Sequence, residues 1–211
     1  MESILGTNDE IIVRQVKEWG EILVGFECRN RFEICDASGG VLGYAAEEGG
    51  GIGTVLARNF LGKCRACTLH IYGADQKEVA QARKPFRFYF HRMELFDKGK
   101  KIGAIQRRFS IFHRKFSLED EGGNQVMTIL SPWFRIWTFK LLVDDKEVGR
   151  VSKRWGGFLK EMFTDADTFG VQFSHPKLPV EVKKLLLAGV FLVDFTCFEN
   201  NTRRSRIGLD G

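Results

Sequence analysis

The chain has 211 residues, 28% charged and 44% hydrophobic, with a formal net charge of +5. A chain of this length buries roughly 70% of its unfolded surface, and no composition break or Pro/Ser linker divides it, so it reads as a single domain over residues 1–211. Five cysteines (Cys28, Cys35, Cys64, Cys67, Cys197) are odd in number and sparse, which excludes a disulfide scaffold and fits a reducing compartment.

At the N-terminus, Glu2, Asp9 and Glu10 flank a short mixed stretch, so no charged-then-apolar signal region is present and a cytosolic protein is expected. Residues 1–8 and 200–211 read as fraying ends. Between them, short runs rich in Val, Ile, Phe and Tyr alternate with Gly, Asn and Asp turns. The predicted strands are Ile11–Val16, Glu21–Glu27, Arg31–Cys35, Val41–Ala45, Thr68–Tyr72, Phe86–Phe90, Glu94–Phe96, Lys101–Gln106, Lys115–Leu118, Gln125–Leu130, Arg135–Val143, Glu147–Ser152, Phe158–Phe163 and Phe169–Phe173. Ala37-Ser38-Gly39-Gly40, Asp97-Lys98-Gly99-Lys100 and Asp144-Asp145-Lys146 are hairpin-sized turns, and the pattern is an antiparallel meander.

Enzyme chemistry finds little support along this path. Gly49-Gly50-Gly51-Ile52-Gly53 lacks the Gly-Lys-Ser/Thr ending of a phosphate loop and reads as a connection. Cys64 and Cys67 have no second pair at zinc spacing, and two ligands do not close a structural site. His70, His91, His113 and His175 lack a nucleophile context and are expected at the surface.

Basic charge concentrates between Arg83 and Lys115. Eleven Lys/Arg there (Arg83, Lys84, Arg87, Arg92, Lys98, Lys100, Lys101, Arg107, Arg108, Arg114, Lys115) face only Glu94 and Asp97, a local charge of +9 in a chain of +5. Such asymmetry points to an anionic partner: a polybasic surface suits an anionic phospholipid leaflet, whereas duplex DNA would be bound with strong salt dependence. The alternative is a solvated barrel rim. In Phe86–His91 the alternation places Phe86, Phe88 and Phe90 on one strand face and Arg87, Tyr89 and His91 on the other. No helix-turn-helix, RNA-recognition motif or zinc finger is present, so sequence-specific nucleic-acid reading is unsupported.

The C-terminal third ends in the apolar run Leu185–Phe198. As a helix it is about 21 Å long, short of the ~30 Å bilayer core. Extension meets Lys183, Lys184 and Glu199, and Asp194 lies inside it. Pro179 suits a helix start, and Val180–Phe198 supplies about five turns. A helix apolar all round must be enclosed, by protein or by lipid. Many strands and one such helix have an economical solution in a sheet that closes around the helix, with Asp194 partnered or near the end of the enclosure.

Several strings resemble the phospholipid scramblases: Gly25-Phe26-Glu27 with Asn30 and Phe32-Glu33-Ile34, Ala45-Ala46-Glu47, Arg58-Asn59-Phe60, Val148-Gly149-Arg150-Val151-Ser152-Lys153 with Trp155, and Phe163-Thr164-Asp165-Ala166-Asp167 with Phe169-Gly170-Val171-Gln172-Phe173. The resemblance implies a mainly β, tubby-like fold: a closed antiparallel barrel of about twelve strands around a central apolar C-terminal helix. It also implies calcium-responsive, energy-independent movement of phospholipids between leaflets, and protein-interaction roles; with the cytosolic reading and the lack of a catalytic constellation above, a cytoplasmic, peripherally membrane-associated protein that is not an enzyme is expected. Many animal members carry a multi-cysteine run for acylation; the matching segment here, residues 83–92, has no cysteine.

The implied calcium ligands are Asp165, Asp167 and the main-chain oxygens of Phe169 and Val171, with Gly170 at the sharp turn. Calcium takes six to eight oxygens, and the position where a bidentate carboxylate belongs is Pro176, so weak binding is expected. Asp165 and Asp167 also suit an Asx-type turn entering a strand. Residues Arg83, Lys84, Arg87, Arg92, Lys98, Lys100, Lys101, Arg107 and Arg108 form the expected lipid-binding surface. The alternative function is a peripheral anionic-lipid-binding or protein-interaction module that does not scramble lipids.

Overall fold

The computed structural model describes residues 1–6, 8, 10–16, 28–49, 64–132, 134–135, 138–152, 168–173 and 178–198. Predicted strands Glu21–Glu27 and Phe158–Phe163 lie outside these residues, as does the 200–211 end. The strands are β1 (Glu10–Val16), β2 (Cys28–Cys35), β3 (Val41–Glu48), β4 (Cys67–Gly73), β5 (Glu78–Lys84), β6 (Arg92–Asp97), β7 (Lys100–Arg108), β8 (His113–Asp120), β9 (Gln125–Pro132), β10 (Thr138–Val143), β11 (Lys146–Ser152) and β12 (Thr168–Phe173). Each pairs antiparallel with the next, and β1 pairs with β12 from Glu10↔Gln172 to Arg14↔Thr168, closing a barrel without a free edge.

Alternation sets which side chains fill the lumen. Ile11 and Val13, Leu69 and Ile71, Met93 and Leu95, Phe116 and Leu118, Met127 and Ile129, and Phe139 and Leu141 all point into one continuous apolar core. The axis of that core is helix α2 (Val180–Val193), buried from Lys183 to Val193. A single π-helical turn, Asp194–Phe198, continues it. Phe191 packs on Phe32 with centroids 5.1 Å apart, and Phe198 meets Phe169 at 5.6 Å and Phe139 at 6.5 Å. No helix among the described residues is long and apolar enough to cross a membrane. At Gly103 the wall approaches the helix closely: a Cβ there would sit 2.8 Å from Leu185 Cδ2.

Antiparallel order gives the barrel two unlike ends. At one, short turns join β2–β3, β4–β5, β6–β7, β8–β9 and β10–β11. Positive φ at Lys98 and Gly99, and again at Asp144 and Asp145, gives the two-residue hairpins their required twist. The Asp36 carboxylate accepts from the Ser38 and Gly40 amides, fixing its turn. Helix α2 enters at this hairpin end. The other end, the loop end, carries Pro85–His91, residues 109–112 and residues 133–137 among its connections.

Four expectations are corrected. Residues 1–8 do not simply fray, because Met1, Ile4 and Leu5 are buried and a short helix, α1 (Glu2–Leu5), seats them at the hairpin end beside Gly43. Residues Phe86–Phe90 are not a strand; the wall strand is Glu78–Lys84, whose inward Ala80 and Ala82 carry little β-propensity. His91 is buried, not superficial. The helix is not α-helical throughout, since its last turn is π-helical, with Asp194 buried at the junction as the chain nears the loop end.

Candidate functional site

Strand parity decides where the basic segment goes. Lys98, Lys100 and Lys101 fall at the β6–β7 turn, on the hairpin end, whereas Arg83, Lys84, Arg87, Arg92, Arg107 and Arg108 fall toward the loop end. The expected single surface is therefore split between opposite ends. Many of these cations are also engaged by the wall. Arg92 Nη1 donates to Glu119 Oε2 at 2.7 Å, and Arg108 Nη2 donates to Glu119 Oε1. Lys101 Nζ donates to Glu94 Oε1 at 2.8 Å, and Lys100 pairs with Glu121 at 2.8 Å. Arg83 lies over the Phe96 ring at 4.5 Å. Lys84 is buried with its Nζ on the Arg65 carbonyl, so it belongs to the interior rather than to a lipid-facing surface. Lys98 is exposed at its turn, and Arg87 is exposed on the loop end.

The carbonyl of Arg65 is held because its side chain is clamped. The Arg65 guanidinium forks onto both oxygens of buried Glu47, with Nη2–Oε2 at 3.1 Å. Asn30 Nδ2 donates to the same carboxylate at 2.6 Å, and Gln15 Nε2 donates to Asn30 Oδ1 at 3.0 Å. The guanidinium also stands 5.9 Å from the Phe195 ring. Through its chain neighbour this cluster reaches the surface: the Arg87 amide donates to the Cys64 carbonyl at 3.1 Å. A second pair of bonds fixes the far side of that loop. Gln106 Nε2 donates to the Phe90 carbonyl, and the Arg107 amide donates to the His91 carbonyl at 2.8 Å.

What this framework holds outward is apolar. Phe86, Phe88, Tyr89 and Phe90 on the β5–β6 loop, Phe109, Ile111 and Phe112 on the β7–β8 loop, and Phe134 on the β9–β10 loop are all exposed. Tyr89, Phe109, Phe112 and Phe134 expose 74–83% of their surface. Apart from Val41, every exposed large hydrophobic among the described residues lies in these three loops. The loops are neighbours, because β5 to β10 are consecutive staves. The sequence signal was a high aromatic density in 86–90 and 109–112, which alternation disguised as a wall strand in the first case.

The calcium residues are only partly in view. Asp165 and Asp167 lie outside the described residues. Phe169 and Val171 are on β12 with buried side chains, and Val171 is paired on both sides, to Ile11 and to Val151. Their main-chain oxygens thus belong to a barrel stave. Among the described residues no three His, Cys, Asp or Glu side chains gather as a metal cluster. Cys35 is a buried thiol pushed up to about 11 by desolvation, and burial likewise raises Cys197.

Comparison with known proteins extends the picture. A family model described as Scramblase matches residues 1–200. Phospholipid scramblase 1 of Rattus norvegicus is 31% identical over 217 residues, covering 94% of this chain and 63% of that protein. Phospholipid scramblase 2 of Bos taurus is 31% identical over 206 residues, covering 90% of this chain and 69% of that protein. The chain thus spans less than two thirds of the rat protein's length. An X-ray structure of a protein from Arabidopsis thaliana is similar in fold with a TM-score of 0.50, at 11% identity, covering 90% of this chain and 94% of that one. The shared architecture is tubby-like.

Proposed function

The chain belongs to the scramblase family, and on that premise we propose that it acts on phospholipid membranes, moving phospholipids between leaflets without an energy source and in response to calcium. It does so as a peripheral protein on the cytoplasmic side. The observation that carries this reading is the span of the family match: residues 1–200 take in all twelve described strands and the central helix. Relatives named phospholipid scramblase are 31% identical over most of this chain.

Physical chemistry constrains how such an activity proceeds. A lipid headgroup crossing a bilayer needs a polar path, because unsatisfied polar groups in hydrocarbon cost several kcal/mol each. Helix α2 is enclosed by the barrel, so it offers lipid no surface. Headgroup passage therefore uses the outside of the barrel at a perturbed bilayer, an assembly of copies, or an opened barrel. Calcium fits the residues only loosely. Asp165 and Asp167 are the carboxylates that would hold it, and two acidic side chains leave most of its six to eight oxygens to main chain, water or lipid phosphate.

The test is reconstitution of the pure protein into liposomes with one leaflet carrying a reducible fluorescent lipid. The expected result is loss of the protected half of the signal, faster with calcium. Vesicle binding without lipid movement at any calcium level overturns the scrambling reading and leaves a lipid-binding module.

A further inference from the structure

We propose that the loop end of the barrel is a bilayer-docking face. Phe88, Tyr89, Phe109, Ile111, Phe112 and Phe134 enter the interface of an anionic membrane, and arginines at the loop bases lie against lipid phosphates. This rests on the reading that the protein acts at phospholipid membranes, and it adds which end meets the bilayer and through which side chains.

Segregation is the first argument. Single exposed apolar residues scattered over a surface need no explanation, but here eight of them occupy three neighbouring loops at one end. Support is the second. The Phe86–Phe90 backbone is tied at Arg87 to Cys64 and at Phe90 to Gln106, and Cys64 adjoins the buried Arg65–Glu47 pair. Phe90 is even held at φ 50°, a conformation that side chains larger than glycine seldom adopt. The rings point outward on a braced loop.

Charge identifies the occupant. Counting each connection with two flanking residues on either side, the three aromatic loops hold eight Lys/Arg and no Asp/Glu; of these cations Lys84 is buried, and Arg92 and Arg108 are paired with Glu119 of the wall, which leaves five. The five hairpin turns, counted in the same way, hold ten Asp/Glu and five Lys/Arg. The three aromatic loops are thus net positive and the five hairpin turns net negative. An anionic surface attracts the aromatic end and repels the other, which sets orientation before any ring is buried. Aromatic rings beside cations suit the bilayer interface, where an apolar body meets hydrated headgroups. No acyl chain is needed for this contact, in keeping with the absence of cysteine from residues 83–92.

The experiment is co-sedimentation of the full chain with vesicles of phosphatidylcholine alone and of phosphatidylcholine with phosphatidylserine. Three proteins are compared: the unmodified chain, Phe88→Ser with Phe112→Ser, and Lys98→Glu with Lys100→Glu at the opposite end. Circular dichroism and melting establish that each is folded. The expected result is binding that requires phosphatidylserine, a loss of at least tenfold in the aromatic variant, and little change in the hairpin-end variant. A Phe88→Trp protein should gain fluorescence that brominated acyl chains quench. Equal binding by the aromatic variant, an equal loss in the hairpin-end variant, or a bound but unquenched Phe88→Trp protein overturns the docking face while leaving membrane action intact. If the unmodified chain binds neither vesicle, the membrane reading itself falls and the proposal with it. Concentration-dependent dimers without lipid, abolished by the aromatic substitutions, assign the face to a second copy and also overturn it.

Discussion

At the residue scale, the Glu47–Arg65 pair couples the interior to the surface loops. Burying two charges is favourable only while each satisfies the other, and removing one partner typically costs about 3–5 kcal/mol. Glu47→Ala should therefore lower stability by about that amount in urea unfolding, and an unchanged midpoint would show that the pair is solvated in solution. Glu94 provides a pH-sensitive counterpart. The hydrogen bond from Lys101, with help from Arg92, holds its carboxyl below the usual carboxylate range. A depressed folded-state value means that Glu94 contributes stability above its unfolded value, near pH 4.3, and that the contribution is lost as pH falls through the folded value. Glu94→Gln should flatten the acid limb of melting temperature against pH, and coincident curves would refute the assignment. For calcium, Asp165→Ala with Asp167→Ala should abolish a weak calorimetric signal, whereas Pro176→Glu should strengthen it by adding a carboxylate oxygen. Submicromolar affinity in the unmodified chain would contradict so sparse a donor set.

At the scale of elements, the central helix is the part most exposed to truncation. Phe191 touches Phe32 and has no exposed surface, so Phe191→Ala or Leu187→Ala should cost about 2–5 kcal/mol through the cavity left behind. Melting unaffected by either change would mean that α2 is not the axis of the core. This helix was legible in the sequence because Leu185–Val193 contains no polar residue, and most strands were legible because their apolar side chains alternate. Besides the short helix α1, two segments were not, for opposite reasons. Strand β5 was obscured because its inward positions are Ala80, Ala82 and Lys84, residues chosen by the space and partners available inside rather than by strand preference. The Phe86–Phe90 loop was misread because aromatic alternation satisfies a strand template whether or not a neighbouring strand accepts it. The site suffered in the same way. Its charges were visible, but hairpin parity sends Arg87 and Lys98 to opposite ends despite their proximity in sequence, and only the closed topology reveals that.

At the scale of the whole molecule, the barrel and its contents depend on each other. Without the segment from residue 180 onward, the inward faces of twelve strands would enclose an apolar void, which water does not fill favourably. A chain ending at residue 178 should therefore bind hydrophobic dyes and lose its cooperative melting; a sharp transition in that truncated chain would refute this dependence. The closure has a further consequence in time. Strand β1 completes its pairing only with β12, and Lys183 Nζ reaches back to the Asn8 carbonyl across 175 positions of sequence. Contacts so distant along the chain slow folding. During synthesis the ribosome delivers the staves before their filling, so the growing chain carries an unsealed apolar trough until α2 emerges. Its most vulnerable moment is thus the interval before that helix docks, when a chaperone able to cover the trough would have the most to protect.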